Sequence, residues 1–584
     1  MPPTETQNSH SPPISPAARF LWAALILTTL YLCYFHSLGA IGLVGPDEPR
    51  YAWISREMAE SGDWVTPRLY GQPWFEKPVL YYWGAALSFK LFGVSETTAR
   101  LPSAICALLA TLALAWLAWR IYGAETARWL LLLLPTTVGM IGFSHAAATD
   151  MPFAGMLTIA MVFAAFLLRV IPEATIADSS AGLISFNSVT SSTSITSLLF
   201  GFFLGLAVLA KGPAAIILSG GAVLLWASFT RRWRDAFRCL HPIAIASFCV
   251  AALPWYILCA RRNPDFFRVF ILEHNFKRFL TPEFQHIQPF WFYLPILLLA
   301  VFPWAILLLT EGASRGGKVI RDRQHSPSHA TVLFAAWALF CLLFFSVSKS
   351  KLPGYILPAI PPVLLLLAAT AQNSLRCGTD SLRRSLIATG MSLVVFGGAL
   401  RHQVHNIPAF LCASPPCGIS RIWILAVVGG IVVTCAAMVR KLPASLFAGA
   451  LVVLLLVIEI DGFLPNLDPG VSGRDATRVA RNVWPDFNPQ KAASWQLNRS
   501  YLYQLRYYTH AEIPEWKLGE PVPDWLFVSK VKRTDATNMG FRCVNFAIDP
   551  AVIPCRAEAE ASVRGLGGGL GSGSSGGGSR LHDR

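Results

Sequence analysis

Residues Gly45 to Trp83, which read GPDEPRYAWISREMAESGDWVTPRLYGQPWFEKPVLYYW, follow the first long apolar run and differ from the rest of the chain. Asp47 has the position of a helix N-cap, and the acidic residue and the proline after it favour a helix start. Apolar residues then recur at the spacing of one helix face. They are Tyr51, Ile54 and Met58. The pattern predicts an amphipathic helix that lies with one face against membrane or protein.

A turn carrying Glu76 and Lys77 closes this stretch on an aromatic cluster. We expect the turn to fold back towards Asp47. This arrangement would place two carboxylates, Arg50 and Lys77 in one polar pocket beside apolar surface.

Composition identifies the class of protein before any motif does. Hydrophobic residues make up 54% of the 584 residues and charged residues only 14%, whereas a soluble chain carries about a quarter charged residues. The mean hydropathy is +0.48, and repeated apolar runs of about 20 residues predict a polytopic membrane protein. The net charge of +15 suits anionic lipid surfaces or phosphate-bearing substrates. The sequence carries no nucleic-acid-binding signature, so no nucleic-acid partner is expected.

The apolar runs predict about thirteen membrane-spanning helices. Residues 1–19 are rich in Pro and Ser and are expected to form a disordered tail. The transmembrane domain is predicted to cover residues 20–463, and its first span runs from Phe20 to about Gly42. The later runs are Leu101–Tyr122, Ala127–Phe143, Met151–Val170, Leu198–Leu209, Ala214–Phe229, Ile243–Cys259, Phe290–Leu309, Thr331–Val347, Tyr355–Ala369, Leu386–Leu400, Ile422–Val439 and Leu442–Phe463.

An odd number of spans puts the two ends of the chain on opposite sides of the membrane. Short basic connections, such as Arg231–Arg238 and Arg376–Arg384, fall on one side, which the positive-inside rule makes cytoplasmic together with the N-terminus. The Gly45–Trp83 stretch, the loop Arg261–Pro289 and the C-terminal region then face outward. Arg and Lys are nevertheless frequent in the first two of these segments, the Gly45–Trp83 stretch and the loop Arg261–Pro289. We interpret these residues as cations kept for binding phosphate.

Residues 464–560 leave the membrane pattern, because Pro, Asp, Asn and Tyr return. The run from Trp525 to Val528 is typical of a strand. We therefore predict a small soluble α/β domain on the outward side of the membrane. Residues 561–584 are rich in Gly and Ser and are expected to be a flexible tail.

Two cysteine pairs agree with this topology. Cys412 and Cys417 share one predicted outward loop, and Cys543 and Cys555 lie in the C-terminal domain. Each pair is close enough in sequence to form a disulfide in an oxidising compartment, and free thiols are the alternative.

Two sets of motifs in the sequence resemble those of a known protein family. The first comprises Asp47-Glu48 with Arg50-Tyr51, then GDW-x-TP at residues 62–67 and G-x-P-W-FEKP-x-LYYW at residues 71–83. The second comprises Thr149–Pro152, Ala210–Pro213 and Lys349–Pro358. Together they resemble the protein O-mannosyltransferase and lipid A aminoarabinose transferase superfamily, most closely its aminoarabinose transferase branch. The resemblance covers about residues 20–360, and the C-terminal domain is matched only by its position.

The resemblance implies a GT-C glycosyltransferase, which is an all-α polytopic membrane protein, here with a small C-terminal α/β domain. It implies residence in a bacterial inner membrane with the active site facing the periplasm. A sugar would pass from a polyprenyl-phosphate donor to an acceptor with inversion. Lipid A, another envelope glycan or lipid, and a protein Ser or Thr are all open as acceptors. The donor already carries a leaving group, so no nucleotide cofactor is expected.

The reaction requires a carboxylate where the acceptor binds. A hydroxyl acceptor needs a base within hydrogen-bond reach, whereas a phosphate acceptor needs only to be oriented. Asp47 is the first candidate, the resemblance agrees, and a simple helix cap is the alternative. Asp150 is the second candidate, because a carboxylate at the outer end of a span is either functional or extended towards water.

Fixed cations are expected where the phosphate departs, because negative charge grows on it in the transition state. Tyrosines can donate to the same phosphate while packing on isoprenoid, although an interfacial aromatic belt also explains them. The candidate donor-binding residues are Arg50, Lys77, Tyr81, Tyr82, Lys211, Arg278, Lys351 and Tyr355. Each cation taken alone is also explained as a solvated or headgroup-facing charge.

The resembled branch further implies a divalent metal ion, for which Glu76 and His274 are the candidate ligands. An ordinary hydrogen-bonded surface histidine is the alternative. The sequence contains no HExxH motif that would offer a competing metal site.

Two other functions are compatible with a polytopic chain. A transporter or flippase of lipid-linked sugars would carry paired charges buried in the middle of spans and a hydropathy pattern repeated between halves. A cell-wall scaffold would have a degenerate site. The candidate carboxylates lie instead at the outward ends of spans, which favours the enzyme.

Overall fold

The computed structural model describes residues 15–171, 193–270, 273, 287–321, 327–404, 418–546 and 550–558. Arg278, His274 and the Cys412 and Cys417 pair therefore lie outside the described residues, as does the tail 561–584. The chain divides into two compact units. The membrane unit is Met1–Ala40 with Tyr51–Pro465, and the C-terminal unit is Ile41–Arg50 with Asn466–Arg584.

Helices account for most of the chain up to residue 471. They are α1 (Pro16–Tyr34), α2 (Asp47–Ser61), α3 (Leu80–Phe92), α4 (Glu96–Tyr122), α5 (Ala124–Leu133), α6 (Val138–Ser144), α7 (Asp150–Leu167), α8 (Thr193–Lys211), α9 (Ala214–Thr230), α10 (Trp233–Ala236), α11 (Pro242–Arg262), α12 (Tyr293–Ala300), α13 (Ala305–Arg321), α14 (His329–Val347), α15 (Ile360–Cys377), α16 (Asp380–Val404), α17 (Gly418–Met438) and α18 (Leu442–Val471). Short 3-10 helices occupy Phe237–Leu240, Phe290–Phe292 and Pro353–Ala359.

The predicted polytopic all-α architecture is confirmed, with fewer clear spans than the predicted thirteen. Within the described ranges, nine helices are long and apolar enough to cross a membrane, or eleven when each of two bent pairs counts as one span. The pairs α5–α6 and α12–α13 bend by 65° and 110°. Pro135 and Pro303 lie at these breaks, where a proline interrupts the helical hydrogen bonds. The two other predicted spans coincide with α16 and with α9, which has 17 residues.

The stretch from Gly45 to Trp83 contains the predicted amphipathic helix. The helix α2 begins at Asp47 itself, so this residue lies in the first turn and not before it. The predicted apolar face is buried at Tyr51, Ile54 and Met58, which are 3%, 0% and 2% exposed. A small hairpin follows, in which β1 (Arg68–Leu69) pairs with β2 (Gln72–Pro73). The chain then reaches Glu76 and Lys77 in a bend before α3.

The C-terminal unit contains a four-stranded sheet with helices packed on it. Its strands are β3 (Ala492–Trp495), β4 (Trp525–Ser529), β5 (Phe541–Cys543) and β6 (Val552–Ala557), in the order β3-β4-β6-β5. The strand β3 is parallel to β4, and β6 is antiparallel to both β4 and β5. The helices are α19 (Arg474–Val483), α20 (Arg499–Thr509) and α21 (Arg533–Asn538). The predicted α/β domain and its strand at Trp525 are thereby confirmed.

The side chains of β4 alternate between the two faces of the sheet, and both faces are covered by apolar residues. Trp525 and Phe527 belong to one apolar cluster, together with residues of α19 and α20. Leu526 and Val528 point the other way into a second cluster, which includes a residue of α21. An uninterrupted apolar run is the expected sequence of a strand buried on both faces.

The predicted disulfide Cys543–Cys555 is present and joins β5 to β6. Replacing both cysteines by serine should destabilise the C-terminal unit by about 3 kcal/mol, because the bridge restricts the unfolded chain. The measurement is protease resistance of this unit as a function of temperature in detergent. An exposed thiol of the membrane unit supplies the control, and Cys377→Ser should leave the resistance unchanged. Equal resistance of the bridged and unbridged proteins would show that the sheet alone sets the stability.

Candidate active site

An ion pair joins two of the predicted site residues in the membrane unit. Asp150 lies in the first turn of α7, and Lys211 is the last residue of α8. The Lys211 Nζ atom donates to Asp150 Oδ1 at 2.5 Å. The side chains are 11% exposed for the lysine and 22% for the aspartate. Because water has little access to the pair, its attraction is screened less than that of a surface pair, and the ammonium is held in place.

Aromatic rings surround the ammonium of this pair. The Lys211 Nζ atom lies 4.5 Å from the ring centroid of Tyr355 and 5.5 Å from that of Phe153. Both distances are within the range of cation–π attraction. The lysine is therefore positioned by one carboxylate and two rings.

Gly354 allows the backbone to approach the carboxylate of the pair closely. A Cβ atom at this position would lie 2.8 Å from Asp150 Oδ1 and 2.8 Å from a ring carbon of Phe143. Sequence reasoning did not single out this glycine as a site residue. Its signal in the sequence is the Pro-Gly pair directly before Tyr355.

Three motifs that are far apart in the sequence thus meet in one cluster. They are Thr149–Pro152, Ala210–Pro213 and Lys349–Pro358. The sequence predicted Asp150, Lys211 and Tyr355 separately, and the structure brings these three together.

Lys351 uses its ammonium to hold the backbone of its own segment. Its Nζ atom donates to the carbonyl oxygens of Ser348 at 2.5 Å and Gln288 at 3.1 Å, and the residue is 6% exposed. Burial, and then the neighbouring Lys349, lower the pKa of Lys351. The geometry favours a structural role for this lysine, and its contact with the donor stays a prediction.

The first loop that was predicted to face outward contacts the start of the second. The ring centroids of Phe75 and Phe266 are 5.2 Å apart, and Arg262 forms an ion pair with Asp63 at 3.0 Å. A cleft of about 460 Å³ lies between the loops, and Glu76 contributes to its wall. The rest of the wall is formed by Pro73, Trp74, Phe75, Arg262, Asn263, Pro264, Asp265, Arg268 and Val269.

The motif residues Glu76 and Lys77 are adjacent in space as well as in sequence. Their charged atoms are 4.0 Å apart, and the side chains are 11% and 13% exposed. Low exposure of a lysine is costly unless an anion compensates the charge, and Glu76 provides an anion here. Binding of phosphate by Lys77 stays a prediction.

Two predicted donor-binding tyrosines are buried in the packing between helices. Tyr81 and Tyr82 are both 0% exposed, and their ring centroids lie 6.1 Å and 5.8 Å from that of Tyr51. The Tyr81 hydroxyl donates to the carbonyl oxygen of Ala99 at 2.8 Å. This geometry favours a packing role, and their contact with the donor stays a prediction.

Asp47 and Arg50 belong to the C-terminal unit. The Asp47 side chain is 49% exposed, whereas that of Arg50 is only 7% exposed, and the guanidinium donates to Asp47 Oδ1. Arg50 also donates to the carbonyl oxygen of Pro46 at 2.9 Å and lies 5.3 Å from the ring centroid of Tyr503. The arginine thus orients the Asp47 carboxylate. A common cavity for Asp47 and Lys77, which belongs to the membrane unit, stays a prediction.

The metal prediction depends on a residue that is not described. Glu76 lies on the wall of the cleft, where a carboxylate is a suitable ligand for a divalent cation. Among the residues with described positions, no group of three His, Cys, Asp or Glu side chains could hold a metal ion. The pairing of Glu76 with His274 therefore stays a prediction.

Comparison with known proteins identifies the family. The profile of the dolichyl-phosphate-mannose-protein mannosyltransferase family matches residues 19–270. The undecaprenyl phosphate-α-4-amino-4-deoxy-L-arabinose arabinosyl transferase of Serratia proteamaculans is 33% identical over 399 residues, which are 66% of this chain and 67% of the relative. The chain belongs to the aminoarabinose transferase family of GT-C glycosyltransferases. The predicted resemblance is confirmed.

Other aminoarabinose transferases match a smaller part of their length. The enzyme of the same name from Edwardsiella ictaluri is 36% identical over 354 residues, 60% of this chain and 59% of the relative. The chain spans about three fifths of the length of this relative and of two from Aeromonas species. In fold, the chain is similar to the crystal structure of ArnT from Cupriavidus metallidurans bound to undecaprenyl phosphate. The TM-score is 0.71 at 23% identity, over 93% of this chain and 99% of that chain.

The close approach at Gly354 can be tested by adding one methyl group. Gly354→Ala should lower the stability of the membrane unit by about 1–3 kcal/mol, because the new Cβ overlaps with Asp150 and Phe143. Thermal unfolding in detergent measures the effect. Gly142→Ala is the control, because a Cβ at this exposed helical glycine meets nothing within 4 Å. An unfolding temperature of Gly354→Ala equal to that of Gly142→Ala would contradict the tight packing over the ion pair.

Proposed function

We propose that this membrane protein transfers 4-amino-4-deoxy-L-arabinose from undecaprenyl phosphate to lipid A on the periplasmic face of a bacterial inner membrane. The observation that carries the proposal is the cluster of Asp150, Lys211 and Tyr355, in which three motifs of an aminoarabinose transferase family come together. The names of the relatives support the choice of donor. Those relatives are transferases, so they give the transporter alternative no support.

The chemistry is a single displacement at the anomeric carbon. An acceptor oxygen forms a bond to C1 of the sugar while the bond from C1 to the phosphate oxygen breaks. The electron pair of that bond leaves with undecaprenyl phosphate. A hydroxyl acceptor passes its proton to a carboxylate, whereas a phosphate acceptor is already anionic and needs only to be oriented. In-line attack on an α-linked donor gives a β-linked product.

The two carboxylates take different roles in this proposal. The Asp150 carboxylate is bound to Lys211 in a site with little access to water, so it serves to position the ammonium. Asp47 is half exposed at the start of α2 and is oriented by Arg50, so it is the carboxylate that can meet the acceptor.

The cations of the membrane unit stabilise the departing phosphate in this proposal. Lys211 is held by one carboxylate and by aromatic rings, so it needs little reorganisation as negative charge develops. Lys77 provides a second ammonium of low exposure. A divalent ion with Glu76 among its ligands would add further positive charge, but no step of the proposal depends on it.

The first test of the proposal is donor cleavage by the purified protein in detergent. Undecaprenyl phosphate-linked aminoarabinose and lipid A should yield free undecaprenyl phosphate, and donors with other sugars should yield much less. Asp47→Asn should lower kcat by about 100- to 10,000-fold if the acceptor is a hydroxyl, because general base catalysis is lost. Asp380→Asn is the control, since this carboxylate is 68% exposed and pairs with Arg440.

Two results would count against these assignments. Full turnover by Asp47→Asn would reject this residue as the base. Absence of undecaprenyl phosphate release from the unaltered protein with every donor and acceptor would reject the transferase proposal itself.

The second test concerns the phosphate of the donor. Lys77→Ala should weaken the binding of undecaprenyl phosphate by roughly 10- to 100-fold, the effect of losing one charge-assisted hydrogen bond. Titration calorimetry in detergent without acceptor measures binding apart from catalysis. Lys441→Ala, which removes an exposed lysine, is the control. Unchanged affinity of Lys77→Ala would place the phosphate site elsewhere.

A further inference from the structure

The segment that leads to Asp47 is fixed by hydrogen bonds within the C-terminal unit. Three consecutive backbone N–H groups each donate to a side-chain oxygen. Gly42 donates to Asp468 Oδ1 at 2.7 Å, and Leu43 donates to the Tyr508 hydroxyl at 2.7 Å. Val44 donates to Glu48 Oε2 at 2.8 Å. An irregular segment whose successive backbone donors are all satisfied in this way has little freedom to shift.

Asp468 is the centre of this arrangement. The residue is 1% exposed, and its Oδ1 atom also accepts from the Ser472 hydroxyl at 2.6 Å. Its Oδ2 atom forms an ion pair with Arg474 at 2.6 Å. A buried carboxylate with a cation and two further donors has a single well-defined position. The amide of Gly42 is bound to this fixed point.

The contact is close as well as polar. A Cβ atom at position 42 would lie 2.6 Å from the Ser472 hydroxyl and 2.9 Å from that of Tyr508. The backbone of the segment therefore lies directly against Ser472 and against Tyr508 of α20. On the far side of Asp47, Arg50 holds both the Pro46 carbonyl and the Asp47 carboxylate, and its guanidinium lies over the ring of Tyr503. Asp47 is thus held from both sides by groups of the C-terminal unit.

We propose that Asp468 and Tyr508 are positioning residues that set the place of the Asp47 carboxylate for the transfer reaction. This inference rests on the proposed function of Asp47. The sequence matched the C-terminal domain to the family only by position, and the inference gives this domain a part in placing the Asp47 carboxylate. A displacement of about 1 Å at a reacting group can cost roughly 100-fold in rate, so loss of either residue should act on kcat. Donor binding should not change, because neither residue is among the proposed phosphate ligands.

The test compares two variants with one control. Asp468→Asn removes the charge that organises the network, and Tyr508→Phe removes the hydroxyl that accepts from the Leu43 amide. Asp486→Asn is the control, because this carboxylate of the same unit is 54% exposed and pairs with Arg556. For each protein we would measure kcat and donor KM. Hydrogen–deuterium exchange of the peptide containing residues 41–50 provides a readout that needs no activity.

Both variants should exchange the amides of residues 42–44 faster than the unaltered protein. We expect kcat to fall by about 100-fold in Asp468→Asn and by about tenfold in Tyr508→Phe, with donor KM unchanged. Asp486→Asn should match the unaltered protein in all three measurements. If Asp468→Asn fails to fold, Tyr508→Phe decides the question, because it changes a single oxygen atom.

Two outcomes would overturn the inference. In the first, exchange at residues 42–44 stays slow in both variants, which would mean that other contacts hold the segment. In the second, exchange becomes fast but kcat is unchanged, which would mean that the place of Asp47 does not limit the reaction. Either result is distinct from a failure of the proposed function, in which the unaltered protein itself releases no undecaprenyl phosphate.

Discussion

The ion pair between Lys211 and Asp150 is the contact on which the site of the membrane unit depends. A lysine with 11% of its side chain exposed has lost most of its contact with water, so an anion beside it is stabilising, and Asp150 provides that anion at the start of α7. The pair connects the end of α8 to the beginning of α7. Because both groups are charged and little exposed, the loss of either would remove the opposite charge that this pair supplies to the other.

The same pair explains why small and aromatic residues surround it. Gly354 leaves room for the Asp150 carboxylate, and Tyr355 and Phe153 place their rings against the ammonium. An aromatic face attracts the cation without neutralising it, so the lysine remains able to interact with a phosphate. The composition of this cluster is thus suited to an anionic substrate.

Much of the fold follows from short-range patterns in the sequence, whereas the contacts of the site do not. Each span predicted from an apolar run coincides with a helix or with a bent pair of helices. This agreement is expected because a chain in lipid must satisfy its backbone hydrogen bonds internally. The bends at α5–α6 and α12–α13 were missed, although Pro135 and Pro303 mark them in the sequence. Hydropathy averaged over a span is insensitive to one proline.

The candidate residues illustrate the same limit at the level of single side chains. Motifs identified Asp150 and Lys211, but their pairing is a tertiary contact across 61 positions and has no local signal. Tyr81 carries a phenol like Tyr355 does, yet its hydroxyl donates to the Ala99 backbone while the ring of Tyr355 lies beside Lys211. Residue type alone cannot separate a packing role from a site role. Asp468 and Tyr508 lie where no family motif was found, so only their contacts reveal them.

The two candidate carboxylates differ in a way that bears on catalysis. Asp150 is 22% exposed and is bound by a lysine that is itself little exposed, whereas Asp47 is 49% exposed and is bound by an arginine from its own helix. An acceptor can approach a half-exposed carboxylate without first displacing a packed cation, and the arginine keeps that carboxylate in one orientation. The proposed transfer needs one carboxylate for the acceptor and fixed cations for the leaving phosphate, and the proposal divides these tasks between the two carboxylates. In the proposed reaction, the carboxylate that positions a lysine and the one that meets the acceptor are different residues, and each can be suited to its task by its surroundings.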